Sequence, residues 1–422
     1  MFSLEDNSIV SAETLDAKDE LRGFRSRFHF PQHKSKDQLY FAGHSLGLMP
    51  KKTSEYVNIE LDSWAKYGVE GHFKGPHPWL PYHEMITSSF AKIVGAKECE
   101  VVAMNTLTVN LHLMMVSFYN PNSSRYKILI ENNTFPSDKY AVDSQARFHG
   151  FKPQDAIVEL KPDHPNGLSV SEESIIETIK KLGSTLSLVM LGNCNYLSGQ
   201  KFNFQKVIEA ARSVGAFVGF NLAHGAGNLE MDLHDWDADF AVWCSYKYLN
   251  AGPGGLAGAF VHERHHKNKN ISRFEGWWGH NKESRFKMGP EFVPIESIEA
   301  WQLSNPPILQ LASLRSSMEI FDEAQIKKLR KKGDHLTSYF QWLIMQNLQG
   351  KVEILTPENR GSMLCLKIAD KPRVLMDKLI ENGALVDFRE PNIIRATPAP
   401  LYNSYQDVFN LVLLMKEILN AK

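Results

Sequence analysis

The chain has 422 residues, of which 47 are Lys or Arg and 48 are Asp or Glu, so its formal net charge is −1. This balance gives no reason to expect nucleic acid or an anionic membrane as a partner. The four cysteines form no CxxC pair, which argues against a zinc site and a disulfide framework, and no apolar run approaches the roughly 20 residues of a membrane span. We expect a cytoplasmic protein with a large and a smaller α/β domain.

The N-terminal segment contains two predicted helices. Residues 11–24 have apolar positions at helical spacing and Pro31 closes that segment, while residues 53–67 show helical spacing again. Between them lies a glycine turn, Gly43-His-Ser-Leu-Gly-Leu-Met-Pro50, which on its own predicts nothing more than a turn. The histidines His72 and His77 follow in a loop without an acidic or cysteine partner at ligand spacing, so we predict no metal site.

Short apolar runs alternate with helical stretches between about residues 81 and 307. This alternation is typical of a mostly parallel sheet covered by helices. The predicted strands are residues 100–104, 127–130, 156–160, 186–191, 216–220, 240–244 and 258–261. Polar groups that follow such strands mark the edge where ligands of open α/β sheets bind.

Three of these strand ends carry candidate binding groups. The helix that opens at Asn105-Thr106-Leu107-Thr108 offers free backbone N–H groups to a phosphate, although a plain threonine cap explains the same residues equally well. Phe135-Pro136-Ser137-Asp138 follows the second strand, and Asp138 could bind a ligand or cap the next helix. Gly192 ends the fourth strand.

The stretch from Val218 to Phe260 is the most informative. One apolar run ends at Asn221, with His224 three positions later, and a second run leads to Lys247 between two tyrosines. A lysine that follows a buried strand can extend to the surface, or it can form an imine with the aldehyde of pyridoxal phosphate. The neighbouring Asn221, His224 and Tyr246 favour the second interpretation.

The C-terminal part begins with a long predicted helix from about residue 312 and continues as a small domain. The predicted elements there are a strand over 361–368, a helix over 372–381, strands over 385–388 and 393–395, and a helix over 405–419. Arg395 ends the last strand, where it could form a surface salt bridge. The preceding loops, around Trp277 and Ser304-Asn305, are polar and aromatic and could equally pack in an interface.

Six sequence blocks together resemble the kynureninase family of pyridoxal-phosphate hydrolases. They are Cys244-Ser-Tyr-Lys-Tyr-Leu-Asn-Ala-Gly-Pro-Gly-Gly-Leu-Ala-Gly-Ala-Phe260, Gly43-His-Ser-Leu-Gly-Leu-Met-Pro50, Met104-Asn-Thr-Leu-Thr-Val-Asn-Leu-His112, Thr134-Phe-Pro-Ser-Asp138, Ser304-Asn-Pro-Pro-Ile308 and Arg395-Ala-Thr-Pro-Ala-Pro-Leu-Tyr-Asn403. The resemblance extends from about Leu21 to near the C-terminus.

The resemblance implies the aspartate-aminotransferase fold, fold type I of pyridoxal-phosphate enzymes, in which a large domain with a mostly parallel sheet is joined to a small α/β domain. We expect residues 1–65 to form a helical segment that joins the small domain, residues 66–311 to bind the cofactor, and residues 312–422 to form the small domain. A homodimer with shared active sites is also implied.

The resemblance implies catalytic roles for Lys247 and Tyr246, with Lys247 holding the cofactor and moving the substrate's α-proton. The implied cofactor contacts are Leu107, Thr108, Phe135, Pro136, Ser137, Asp138, Gly192, Asn221, His224, Tyr246, Lys247, Trp277 and Asn305. The implied substrate contacts are Ser45, His72, Ser304, Asn305 and Arg395. A planar guanidinium is well shaped to bind the substrate's α-carboxylate.

The implied reaction is hydrolysis of L-kynurenine, 3-hydroxy-L-kynurenine or both to anthranilate or 3-hydroxyanthranilate and L-alanine, in tryptophan catabolism and NAD precursor synthesis. Four positions depart from the family pattern. His44 replaces an asparagine, Gly192 a serine, Gln302 a basic residue and Asn221 an aspartate.

The departure at Asn221 has a chemical consequence. An amide can bond to the cofactor's ring nitrogen but cannot neutralise its charge, so we expect reduced activity, and a cofactor-binding paralogue with weak or no turnover is the alternative. A lyase similar to cysteine desulfurases is disfavoured, because Cys365, the C-terminal candidate for the thiol it needs, lies in an apolar alternating run.

Overall fold

The computed structural model describes residues 2–421 of the chain. Its α-helices are α1 (Ile9–Lys18), α2 (Thr53–Tyr67), α3 (Glu84–Val94), α4 (Leu107–Phe118), α5 (Pro136–Phe148), α6 (Pro153–Ala156), α7 (Glu172–Leu182), α8 (Phe204–Ser213), α9 (Ile308–Ala324), α10 (Ile326–Asn347), α11 (Pro372–Glu381) and α12 (Tyr405–Asn420). Its strands are β1 (Gln32–His33), β2 (Lys36–Asp37), β3 (Leu39–Tyr40), β4 (Val101–Ala103), β5 (Lys127–Ile130), β6 (Ile157–Glu159), β7 (Leu186–Gly192), β8 (Phe217–Asn221), β9 (Phe240–Trp243), β10 (Gly258–Val261), β11 (Val352–Ile354), β12 (Leu364–Ile368), β13 (Ala384–Leu385), β14 (Asp387–Arg389) and β15 (Ile393–Ala396). Across residues 2–421, no helix combines the length and the apolar character that crossing a membrane requires.

The larger sheet has seven strands in the order β4-β10-β9-β8-β7-β5-β6. Neighbouring strands are parallel except β10, which runs antiparallel to both β9 and β4, so the prediction of a mostly parallel sheet is confirmed. The seven predicted strands agree with the structure to within one residue at each end. They were recognisable because helices cover both faces of the sheet, which makes each strand a continuous apolar run.

The parallel strands bring their carboxyl ends to one edge of this sheet. In the register of the sheet, Gly192 at the end of β7 pairs with Asn221 at the end of β8, and Asn221 pairs with Val242 in β9. Residues that follow β5, β7, β8 and β9 therefore gather at this edge, as expected for ligand-binding α/β sheets.

The smaller sheet is antiparallel, with the order β11-β12-β15-β14. Helices α10 and α12 pack on it through a second apolar core that includes Phe340, Leu366 and Leu411. Ala12 and Phe41 belong to the same core. This packing supports the proposed association of residues 1–65 with the small domain, although α2 in that segment packs against α9.

The prediction of a single long helix from about residue 312 is wrong, because two helices occupy this region. Gln325 separates α9 from α10 with a φ of +62°, which lies outside the helical range and ends the run of backbone hydrogen bonds. Leu311 and Leu314 of α9 pack in the core of the larger sheet, whereas Leu336 of α10 packs in the small core. Leu329 in the first turn of α10 still packs in the core of the larger sheet, so the chain passes from one core to the other within α10, between Leu329 and Leu336.

The predicted helix over residues 11–24 is shorter in the structure. Helix α1 ends at Lys18, and a separate 3₁₀ helix covers Arg22–Arg27. The break occurs where the side-chain Oδ1 of Asp19 accepts a hydrogen bond from the backbone N–H of Leu21 at 2.9 Å. Such a local bond offers the backbone an alternative to continued helix.

Gly219 in β8 allows close packing beneath the edge where the site forms. A Cβ atom at this position would overlap the ring of Phe240 on the neighbouring strand. We expect Gly219→Ala to destabilise the fold by about 1–3 kcal/mol, the usual cost of overpacking a core. Urea unfolding should show this as a lower midpoint.

Gly23→Ala is the matched control. A Cβ atom at Gly23 would meet no heavy atom within 4 Å, and this glycine has no positive φ. We expect its free energy of unfolding to change by no more than about 0.5 kcal/mol. Equal midpoints for the two variants would contradict the packing argument.

Candidate active site

A pocket opens at the carboxyl edge of the larger sheet. Most of the predicted cofactor contacts meet there, and Glu131, Cys194, Tyr196 and Ala223 join them without having been predicted. The lining residues are Leu107, Thr108, Glu131, Phe135, Ser137, Asp138, Gly192, Cys194, Tyr196, Asn221, Ala223, His224, Tyr246 and Lys247.

Lys247 extends its half-buried side chain into this pocket. Its Nζ lies 3.2 Å from Nε2 of His224 and 5.8 Å from the centre of the Phe135 ring. Burial lowers the pKa of Lys247, so more of this amine is neutral at physiological pH than in an exposed lysine. A neutral lysine amine is a nucleophile and a base.

His224 is a neutral partner for this lysine. Burial, followed by the nearby charge of Lys247, holds the pKa of His224 well below its usual value. Its Nδ1 is buried and finds no hydrogen-bond partner within residues 2–421. The imidazole can therefore orient the amine and still offer one ring nitrogen to a ligand.

Asn221 and Asp138 are joined by a short hydrogen bond. The amide Nδ2 of Asn221 donates to Oδ2 of Asp138 at 2.6 Å, and the amide Oδ1 accepts from the backbone N–H of Ala223 at 2.8 Å. Burial raises the pKa of Asp138 to about 6, so its carboxyl group is predominantly ionised at pH 7. This bond connects the end of β8 with the first turn of α5.

Glu131 is a second buried carboxyl group in the pocket, and it is not among the residues predicted from the sequence. Its Oε1 accepts from the backbone N–H of Gly192 at 3.2 Å, and its Oε2 accepts from Nδ2 of Asn195 at 2.7 Å. A Cβ atom at Gly192 would lie 2.8 Å from Oε1. Glu131 thus occupies the space that a serine side chain at Gly192 would need. An acidic residue directly after β5 was the available sequence signal.

Two helix N-termini meet at one end of the pocket. Helix α4 begins at Leu107 and α5 at Pro136, and the Oγ1 of Thr108 lies 2.9 Å from the Oγ of Ser137 between them. The first backbone N–H groups of a helix have no partner within it and suit an anion. Thr106, not Thr108, takes the capping position of α4.

Arg395 lies buried on β15 at the boundary of the pocket. Its Nε donates to Oδ1 of Asp387 at 2.8 Å, and its guanidinium donates to the carbonyl of Tyr196, which lines the pocket. His44 is buried nearby, with Nδ1 2.9 Å from Oγ1 of Thr397. Burial, and then the charge of Arg395, lowers the pKa of His44 well below its usual value.

The remaining predicted residues lie outside the pocket lining of a single chain. Ser45, Pro136, Ser304 and Asn305 are exposed, while Trp277 packs its ring against Phe286 and is 40% exposed. His72 bonds to the carbonyl of Val69 at 3.0 Å. Ser304, Asn305 and Gln302 line a separate depression beside the start of α4.

A family model described as the kynureninase C-terminal domain matches residues 329–415. Proteins named kynureninase from Myxococcus xanthus and Koribacter versatilis are 54% and 50% identical to this chain. The Myxococcus alignment covers 97% of both chains, and the Koribacter alignment covers 94% of this chain and 95% of the relative.

Solved structures agree with the predicted fold. A cysteine desulfurase from Escherichia coli superposes with a TM-score of 0.77 at 16% identity, covering 95% of this chain and 98% of its own. The cystine C–S lyase C-DES, with glycine covalently linked to its pyridoxal-phosphate cofactor, superposes with a TM-score of 0.76 at 15% identity, covering 90% and 96%. These matches confirm the fold-type I architecture, and at these identities they show the fold alone.

The buried carboxyl group of Glu131 predicts a pH-dependent stability. Burial raises its pKa to about 7 from an ordinary 4.5. The folded state therefore binds a proton that the unfolded chain has already released, and this contribution is present at low pH and lost as the pH rises through about 7. The difference between the two pKa values corresponds to about 3 kcal/mol of unfolding free energy.

Glu131→Gln removes this titration. Without added ligand, the unfolding free energy of the variant relative to the unmodified protein should rise by about 2–3 kcal/mol between pH 5 and pH 8. Glu177→Gln, on the exposed face of α7, is the control and should show no such trend. A difference that stays constant with pH would contradict the assignment.

Proposed function

Because the chain belongs to the kynureninase family, we infer that it hydrolyses L-kynurenine, 3-hydroxy-L-kynurenine or both to L-alanine and anthranilate or 3-hydroxyanthranilate. It is a pyridoxal-phosphate-dependent hydrolase of a carbon–carbon bond and acts in tryptophan catabolism. The observation that carries this function is 54% identity across 97% of the chain. The pocket around Lys247 supplies its chemistry.

The pocket fits pyridoxal phosphate. Lys247 offers an amine for the aldehyde, and the N-termini of α4 and α5 offer backbone N–H groups for the phosphate. The Oδ1 of Asp138 and the Nδ1 of His224 are buried and find no partner within residues 2–421. These two atoms are free to bond the polar substituents of the cofactor ring.

Lys247 carries out the proton transfers. Bound pyridoxal phosphate supplies an electron-withdrawing ring conjugated to the substrate's amino nitrogen. The Nζ of Lys247 takes the proton from the substrate's Cα and later delivers a proton to the carbon that becomes the methyl group of alanine. The lowered pKa of Lys247 favours the neutral form that accepts the proton. His224 orients the amine through the 3.2 Å contact.

Arg395 binds the substrate's α-carboxylate. Asp387 fixes the guanidinium from one side and the Tyr196 carbonyl fixes it from another, so the remaining N–H groups are held in place before substrate arrives. Arg389 also donates to Asp387, which leaves this cluster with a net positive charge. A positively charged guanidinium that is held in place can donate two parallel hydrogen bonds to a carboxylate.

Tyr246 provides a hydrogen-bond donor at the edge of the pocket. Burial raises the pKa of Tyr246 above its usual value, so the phenol stays protonated at all physiological pH values. We assign it to the cofactor phosphate or to the substrate's γ-carbonyl, where it stabilises the negative charge that develops on oxygen as water attacks. A donor fixed in advance contributes more to catalysis than one that must reorient.

The active enzyme is proposed to be a homodimer with shared active sites. Phe73, Trp277 and Phe286 form an aromatic cluster in which each ring is at least 40% exposed, with ring centres 5.5 and 6.3 Å apart. Exposed apolar clusters of this kind mark interaction surfaces. Trp277 and Asn305, assigned to the cofactor, lie outside the pocket of one chain, and a second copy would bring such loops to its partner's pocket.

We also propose a cytoplasmic location. The thiol of Cys99 is exposed and free, which suits a reducing compartment. The balanced charge of the chain matches a small-molecule substrate and not a nucleic acid. Recovery of the activity in the membrane fraction of a cell lysate would contradict this location.

Product formation tests the function. With pyridoxal phosphate present, the protein should convert L-kynurenine or its 3-hydroxy derivative to alanine and the matching anthranilate, measured by amino-acid analysis and fluorescence. Lys247→Ala should lose at least about 10²-fold in rate. Borohydride reduction and peptide mapping should place the phosphopyridoxyl group on Lys247. A label on another lysine, or no alanine from either substrate, would contradict the proposal.

The role of Arg395 can be tested in the same assay. Arg395→Lys keeps the charge but loses the planar fork, so KM should rise about tenfold or more, equivalent to about 1.4 kcal/mol. The affinity for pyridoxal phosphate is the internal control and should stay unchanged. An unchanged KM would remove Arg395 from the substrate site.

Sedimentation equilibrium tests the dimer. The protein should have twice the mass of one chain, and Phe286→Asp should shift it toward monomer because a carboxylate cannot be buried in an apolar interface without a large cost. Phe148→Asp is the control, since Phe148 is 79% exposed on α5 outside the aromatic cluster. A monomeric unmodified protein with full activity would refute the shared sites.

A further inference from the structure

The orientation of the Asn221 amide is fixed by its two neighbours. A backbone N–H can only donate and an ionised carboxylate can only accept, so the oxygen must face Ala223 and the nitrogen must face Asp138. A flipped amide would lose both hydrogen bonds. The amide oxygen retains a second lone pair, which is free to accept a hydrogen bond from a ligand in the pocket.

Asp138 carries a buried charge without a salt bridge. Asp138 is 8% exposed, its Oδ2 accepts from Asn221, and its Oδ1 has no hydrogen-bond partner within residues 2–421. No side chain of that range forms a salt bridge with it. Burial raises the pKa of Asp138, and the amine of Lys247 is the cation whose charge lowers it. A buried, unpaired carboxylate is costly, and a ligand that brings positive charge to the pocket offsets that cost.

We propose that Asp138, acting through the amide of Asn221, supplies the negative charge that keeps the ring nitrogen of bound pyridoxal phosphate protonated. The inference rests on the proposed cofactor site. The ring N–H donates to the free lone pair of Asn221 Oδ1, and the same amide donates to Asp138. Hydrogen bonds linked in this way polarise one another in a low-dielectric site, so the carboxylate acts on the ring across one amide.

The pair of side chains therefore holds one charge in total. Asn221→Asp would place a second carboxylate 2.6 Å from the first. Two carboxyl groups this close share one proton, so this variant keeps one net charge on the pair. Asp138→Asn removes the charge altogether. The double variant that combines Asn221→Asp with Asp138→Asn restores one charge, which then lies on residue 221. Asp138 thus supplies the charge, and Asn221 is the contact to the ring nitrogen.

The test is the ¹⁵N NMR shift of the ring nitrogen in holoenzyme reconstituted with ¹⁵N-labelled pyridoxal phosphate. The unmodified protein, Asn221→Asp and the exchanged double variant should each show the shift of a protonated ring, and Asp138→Asn should move it to that of a neutral ring. Glu131→Gln is the matched control, since it removes another buried carboxyl of the pocket that does not bond Asn221. Its shift should stay that of a protonated ring.

Each outcome decides the inference. A neutral ring in the unmodified protein, failure of that protein to retain the cofactor, or a protonated ring in Asp138→Asn would overturn it. If Asp138 only stabilised the first turn of α5, Asp138→Asn would lower the melting temperature and leave the ¹⁵N shift unchanged. The measurement uses no kynurenine, so a protein with the expected shifts but no alanine product would refute the proposed reaction and leave this inference standing.

Discussion

The hydrogen bond between Asn221 and Asp138 is the interaction on which the pocket depends. It ties the carboxyl end of β8 to the first turn of α5, and thus joins the sheet edge to one of the two helix N-termini. Without it, a buried carboxyl and a buried amide would each lose a partner. The same bond fixes the amide that faces the pocket, so one contact determines both the shape and the charge of the site.

The second constraint is that the site draws on both sheets. Arg395 comes from the small sheet and Lys247 from the larger one, so their separation depends on how the two parts pack. Asn228 links them: its Nδ2 donates to the carbonyl of His224, while its own carbonyl accepts from Arg330 in α10. Movement at this contact would change the position of His224 and, through it, of the lysine amine.

Much of this architecture could be predicted from the sequence. The buried parallel strands are continuous apolar runs, and the residues that follow them carry the chemistry, so both the sheet and the position of Lys247 were recognisable. The break at Gln325 was not, because a glutamine with positive φ leaves no mark on the apolar periodicity around it. Glu131 was missed because a single acid after a strand resembles any loop residue. Its burial depends on Gly192 and Asn195, which are distant in sequence.

The departures from the family pattern acquire a physical meaning only in pairs. Gly192 lacks the side chain of the usual serine, and the Glu131 carboxyl fills the space. Asn221 lacks the charge of the usual aspartate, and Asp138, bonded to it, retains one. In both cases the partner lies on the segment after β5. In the sequence this segment is distant from the ends of β7 and β8, so the relation is not visible when each position is considered alone. A substitution at the edge of a parallel sheet therefore has to be judged together with the strand beside it, since the neighbouring strand end determines whether space or charge has been lost.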